Sequence, residues 1–158
     1  MTFALDLKQF AEKTGKKADA AVSNIVVRVA SELDRRSPVG DAKYWKNPPP
    51  KGYIGGHFRA NWQLGVGDMP GGEVAGVVPG GHARRETAGG AALSRIRAEV
   101  PSKASGLIFY LANNVPYAQA LEYGHSRQAP APGGVVGITV AMFNQIVLES
   151  IRQLDPMP

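Results

Sequence analysis

The stretch that most constrains the fold is residues 107–125, running from Leu107-Ile108-Phe109-Tyr110-Leu111 through Asn113-Asn114-Val115-Pro116 to Tyr123-Gly124-His125. It opens as an apolar, aromatic run of strand length and breaks at the two asparagines. Pro116 then stands where a first helical turn accepts a residue without an N–H. The spacing predicts a helix over 116–123 that stops at Gly124, the residue best suited to a left-handed closing position. A strand therefore feeds a short helix. Asn113 and Asn114 are placed to satisfy backbone groups at the turn. Tyr117 and Tyr123, six apart, fall on different sides of the helix, so at least one faces outward or into a crevice.

Apolar periodicity supplies the other elements. From about Leu5 to Arg36 the chain reads as helix with a break near Thr14-Gly15. After the break Val22, Ile25, Val26, Val29 and Leu33 form one stripe, and Arg35 and Arg36 end the helix where cations complement its dipole. Residues 37–57 form a long loop, because Pro48-Pro49-Pro50 donates no backbone hydrogen bonds and favours an extended conformation. Its aromatics, Tyr44, Trp45 and Tyr53, either anchor a rigid arm on a neighbouring subunit or fold back on their own domain; the arm is the preferred reading. A turn at 57–62 leads into a strand at 62–67, paired as a hairpin with a second strand at 73–78. A weaker helical pattern over 83–100 is broken at Gly89-Gly90. Residues 125–134 are loop. Val136, Val140, Phe143, Val147, Ile151 and Leu154 then predict a helix over 135–154 whose apolar side packs on the sheet, and 155–158 is a tail. The expected class is α+β: a small mixed or antiparallel sheet of three to five strands against an N-terminal and a C-terminal helix, with long Gly/Pro-rich loops, in a single domain.

At 158 residues the chain is large enough to bury a core without staples, and with no cysteine it has neither disulfides nor thiolate ligands. No apolar stretch approaches the roughly 20 residues that span a bilayer, and the N-terminus lacks the pattern of a signal peptide, so no membrane association is expected. The net charge of +5 is compatible with an anionic partner or with a mildly basic surface of no special purpose.

Two motifs carry a family resemblance. One is Ala112-Asn113-Asn114-Val115-Pro116-Tyr117-Ala118, then Leu121-Glu122-Tyr123-Gly124-His125-Ser126, then Gln128-Ala129-Pro130 and a glycine before an apolar helix. The other is Arg35-Arg36-Ser37-Pro38-Val39 followed by Gly56-His57-Phe58-Arg59-Ala60-Asn61-Trp62. Together they resemble the tail-completion or neck (head-tail joining) proteins of long-tailed bacteriophages, the broad group to which the minor tail protein Z of phage lambda belongs. The chain departs from that pattern in its longer 40–56 loop and in Phe58 and Asn61, where leucine and serine are more usual. The resemblance implies a virion structural protein, made in the host cytoplasm, that forms a ring at the tail terminus or neck, six subunits being the expected number. Its implied partners are itself, the tail tube or tail terminator protein and the head-tail connector proteins, with non-specific contact to genomic DNA in the bore. The loops at 37–57, 68–82 and 124–134 would reach neighbouring rings. Arg59, Trp62, Asn113, Tyr117, Glu122, Tyr123, Gly124, Arg127, Trp45 and Tyr44 are the motif and interface candidates.

Motifs for catalysis are absent. His57, His82 and His125 stand beside glycines without metal-ligand spacing. No P-loop ending, nucleophile elbow or paired-carboxylate pattern is present, so no enzyme activity and no cofactor are expected. Glu122, at a helix C-terminus where a carboxylate opposes the dipole, is expected to pair with Arg59 or Arg127, or else to be a solvated acid. Two other functions remain open: a DNA-binding accessory protein, drawing on Arg84-Arg85 and the other arginines, and a small metal-dependent hydrolase or nuclease around one of the histidines.

Overall fold

The computed structural model describes residues 3–49, 51, 53, 55–76 and 85–154, with the side chains of 3–8 and 85–89 left aside. The expected tail at 155–158, His82, Arg84 and the end of the second expected strand lie outside the described residues.

Helix α1 (Phe3–Arg36) is continuous for 34 residues. The break expected near Thr14-Gly15 is not there. A single glycine costs a helix only about 1 kcal/mol, and Thr14 stays within the ladder by donating its hydroxyl to the Phe10 carbonyl at 2.9 Å. The stripe anticipated on its second half does meet the core: Val26 and Leu33 are buried, and Val22 and Val29 pack against the same cluster.

A one-turn helix, α2 (His57–Ala60), leads into β1 (Gln63–Val66). The partner of β1 is β2 (Phe109–Ala112), antiparallel, with Gln63 opposite Ala112 and Val66 opposite Phe109. This corrects the hairpin drawn from 62–67 to 73–78. Residues 73–76, Glu-Val-Ala-Gly, offer little strand preference, and side chains hold this loop: Gln63 Nε2 donates to the Gly72 carbonyl, and Asn61 Oδ1 accepts the Val74 N–H. Among the described residues the sheet has two strands, fewer than the three to five expected. The α+β class stands.

Helix α3 (Arg85–Glu99) passes through Gly89-Gly90 without a break and packs on α1, α2 and β1. The helix after β2, α4 (Ala118–Glu122), closes as its sequence predicts: Gly124 has φ 73°, its N–H bonds the Leu121 carbonyl and the His125 N–H bonds the Ala120 carbonyl. That pair of bonds is a Schellman closure. The last two helices, α5 (Val136–Ala141) and α6 (Phe143–Arg152), are separated by Met142 alone. They lie along α1 rather than on the sheet, tied by an Arg28–Glu149 ion pair at 2.7 Å.

One cluster forms the core: Val26, Ala30 and Leu33 from α1, Phe58, Trp62 and Leu64 around β1, Ala92 and Ile96 from α3, and Val115, Leu121, Ala131 and Val135 from the motif that follows β2. The two motifs of the sequence thus meet in space at the centre of the molecule.

Candidate functional site

Asp34, at the end of α1, and Arg59, on α2, form a two-pronged ion pair inside the protein, Arg59 Nε donating at 2.9 Å and Nη2 at 2.5 Å. Asp34 is 4% exposed, and its carboxylate gains full compensation only from such a planar fork. Beside it Trp62 Nε1 donates to Ser37 Oγ at 2.7 Å, and the Ser37 hydroxyl donates to the Leu33 carbonyl. Phe58 meets Trp62 edge to face with centroids 5.7 Å apart, and Asn113 Nδ2 donates to the Phe58 carbonyl. Arg59, Trp62 and Asn113 therefore join the two motifs internally. Asn114 Nδ2 bonds the Pro70 carbonyl, so both asparagines satisfy backbone groups as expected, though in segments distant in sequence.

His57 is buried on α2. Its Nε2 lies 2.7 Å from Glu73 Oε2, and its Nδ1 faces the Asn61 amide at 3.4 Å. A carboxylate only accepts, which assigns the ring hydrogen to Nε2. Both ring nitrogens are engaged in fastening the 73–74 segment over α2.

Next to His57 lies a cleft of about 320 Å³ between the 37–57 loop and α4, lined by Pro38, Trp45, Tyr53, Phe58, Tyr117, Leu121, Ser126 and Gln128 among others. Trp45 and Tyr53 stack edge to face at 4.9 Å. The Tyr53 hydroxyl sits against Gly40, where any side chain would overlap it. Trp45 thus folds back on its own domain instead of extending as the preferred arm, because a proline-rich loop with two aromatics finds apolar cover at Phe58 and Leu121. Tyr117 lines the cleft while 42% exposed, and its phenol is pushed up to about 12, chiefly by burial and then by Tyr53 and Glu73. The walls are aromatic with few polar atoms.

Glu122 makes a contact the sequence does not reveal. Its carboxylate accepts the N–H groups of Val135 at 2.7 Å, Val136 at 2.9 Å and Gly137 at 2.9 Å, capping the start of α5. Arg59 bonds Asp34 and Arg127 is exposed, so neither expected ion pair forms with Glu122, and the solvated-acid alternative fails as well. The acid ends one helix and neutralises the positive end of another. Burial raises its pKa, and the three backbone donors outweigh that and hold the carboxyl below its usual range.

The remaining candidates face outward. Tyr44 is exposed with Lys43 over its ring at 4.7 Å, Tyr123 is 72% exposed, and Arg127 and His125 lie beside Tyr44 and Trp45 along a shallow depression. The largest surprise is α5–α6. Thr139, Ile146 and Ser150 face the body, whereas Val136, Val140, Phe143, Leu148 and Ile151 are exposed. Four of the residues expected to pack on the sheet are therefore on the surface. The available signal was the absence of any charged residue from 128 to 148, so that charge does not mark the outside of α5 or of the first half of α6. Asp34, Ser37, Asn61 and Glu73 also escaped sequence reasoning, since polar residues at helix ends and in loops look ordinary until burial is known. Among the described residues no group of three or more histidines and acids is close enough to hold a metal ion, and no helix is long and apolar enough to cross a membrane. No protein-family model, curated protein or solved structure matches the chain.

Proposed function

We propose that the protein is a virion structural component of the phage neck or tail terminus, acting by self-association and docking in a ring that completes the tail and helps join it to the head. The observation that carries the association is the apolar row Val136, Val140, Phe143 and Ile151 left on the surface of α5–α6. A lone exposed aliphatic residue is ordinary, but a continuous row along about four helical turns marks a contact surface. The phage setting rests on the two motifs, whose residues Arg59, Trp62, Asn113 and Glu122 cohere around one centre.

The test is electron microscopy of lysates from a phage or prophage whose copy of this gene is disrupted. Full heads beside separate tails, or tails of irregular length, are expected. Complementation with Val140→Asp should leave the same defect while the isolated protein remains folded. Infectious particles at normal yield without the gene would overturn the reading.

A further inference from the structure

The sheet leaves one edge open, and the register shows which backbone groups stand on it. The Gly67 N–H bonds the Ile108 carbonyl at 2.9 Å, and Gly65 lies opposite Tyr110. Bonded pairs alternate along an antiparallel ladder, so Ile108, Tyr110 and Ala112 turn their N–H and C=O groups toward β1, and Phe109 and Leu111 turn theirs away. Among the described residues nothing bonds these outward groups of Phe109 and Leu111. The outer edge of β1 is different. Helix α3 packs on β1, Leu64 is buried, and Arg95 Nη2 donates to the Trp62 carbonyl at 2.8 Å and to that of Ala60 at 3.0 Å.

Open edges in soluble proteins are guarded by charge, proline or a bulge. β2 has none of these: no charged residue stands between Lys103 and Glu122, Pro116 lies beyond the strand, and the register with β1 runs unbroken from Phe109 to Ala112. Leu107 and Ile108, just ahead of it, are 44% and 62% exposed. Phe109 and Leu111 pack on the core, which places Ile108, Tyr110 and Ala112 on the opposite face.

Such an edge fits itself. Set antiparallel across a two-fold axis at Tyr110, the Phe109 N–H and C=O of one copy meet the Leu111 C=O and N–H of the other. The exposed Ile108 then lies opposite the small Ala112 of the other copy, and no like charges face one another. We propose that β2 is a dimerisation edge: two copies join β2 to β2, centred on Tyr110, into one continuous sheet ordered β1, β2, β2, β1. This goes beyond the association argued above, since it uses the backbone of β2 and not the α5–α6 row. Strands this short bury little surface, so the contact is weak and is read at high protein concentration.

The chain has no cysteine, so the register can be read by crosslinking. On the axis, Tyr110 faces its own copy as a non-hydrogen-bonded pair with Cα atoms about 4.5 Å apart, within reach of a disulfide. Ile108 lies opposite position 112, which puts the two 108 positions about 14 Å apart, beyond any disulfide. Under mild oxidation Tyr110→Cys should give about fivefold or more disulfide-linked dimer than Ile108→Cys or the exposed control Gln119→Cys, and Ile108→Cys mixed with Ala112→Cys should give the mixed dimer. Without any cysteine, Ile108→Asp at its exposed position should weaken dimerisation by about tenfold in sedimentation equilibrium, a difference of about 1.4 kcal/mol. Equal yields from positions 108 and 110, or no dimer above the control, overturn the pairing. Val140→Asp, which disrupts the α5–α6 row, should leave the 110–110 yield unchanged, and its loss in that background would also overturn the pairing. The phage reading fails separately, when disruption of the gene leaves particles intact; a strong 110–110 disulfide with that outcome would retain the dimer and discard the neck.

Discussion

The carboxylate of Glu122 provides a strict test of how the motif after β2 is held together. In Glu122→Gln one oxygen remains to accept, and the amide that replaces the other points N–H bonds at N–H groups. Loss of a helix cap costs about 0.5–2 kcal/mol. Loss of the charge at the helix N-terminus costs about 0.3–1 kcal/mol more. Three donors converge on this one carboxylate, which puts the sum at about 2–3 kcal/mol. For a chain of this size that is a fall in Tm of about 5–10 °C. Urea titration followed by circular dichroism at pH 7 reads the same quantity at constant temperature. An exposed acid elsewhere, such as Glu99→Gln, should change stability by less than about 0.5 kcal/mol.

The pH dependence identifies the cause. The folded pKa of Glu122 lies below its ordinary 4.5, so its stabilisation is fully present above that value and is lost as pH falls through the lower folded value. The gap between wild type and Glu122→Gln should therefore narrow as the solution is taken below pH 4.5. A gap that persists in acid, or a loss under about 0.5 kcal/mol at pH 7, refutes the cap.

Three further outcomes follow from the same geometry. Arg59→Met strands the buried Asp34 carboxylate and should cost about 3–5 kcal/mol, most of it recovered in the double variant with Asp34→Leu; equal losses in single and double variants would show that the pair is not the source. Gly134→Ala, at φ 78° with its new Cβ only 2.6 Å from Glu122 Oε1, should cost about 1–3 kcal/mol by urea titration, and less in a Glu122→Ala background where that overlap is gone. In ultraviolet titration Tyr117 should ionise last, near pH 12; its stabilisation is complete below 10.0, is lost as pH rises from there toward 12, and is absent from Tyr117→Phe.

What the sequence made legible was local. Gly124 is recognisable as a helix stop because the Schellman closure uses bonds only among residues 120–125, and Pro116 stands just ahead of the helix, whereas the amides of Asn113 and Asn114 reach the distant carbonyls of Phe58 and Pro70. The partner of β1 is some 45 residues away, and only the weak strand character of 73–76 argued against the nearer choice. Burial decided the polar residues. Glu122 pairs with backbone amides, which every residue but proline carries, so no side chain in the sequence marks its target; Asp34 beside Arg35 and Arg36 looks like part of a solvated charge run, yet its fork comes from Arg59.

Periodicity fails in a more instructive way along α5–α6. Spacings of three and four define a helix and the phase of its apolar sector, but they do not say how much of that sector the body covers. Here the body takes the edge bearing Thr139, Ile146 and Ser150, and it leaves Val140, Phe143 and Ile151 outside. A monomer selected only for its own stability would turn those residues inward, since each buried aliphatic side chain is worth about 1.5–3 kcal/mol. That arrangement is retained if the row is covered in the working assembly, so that the burial missing from one copy is completed by another.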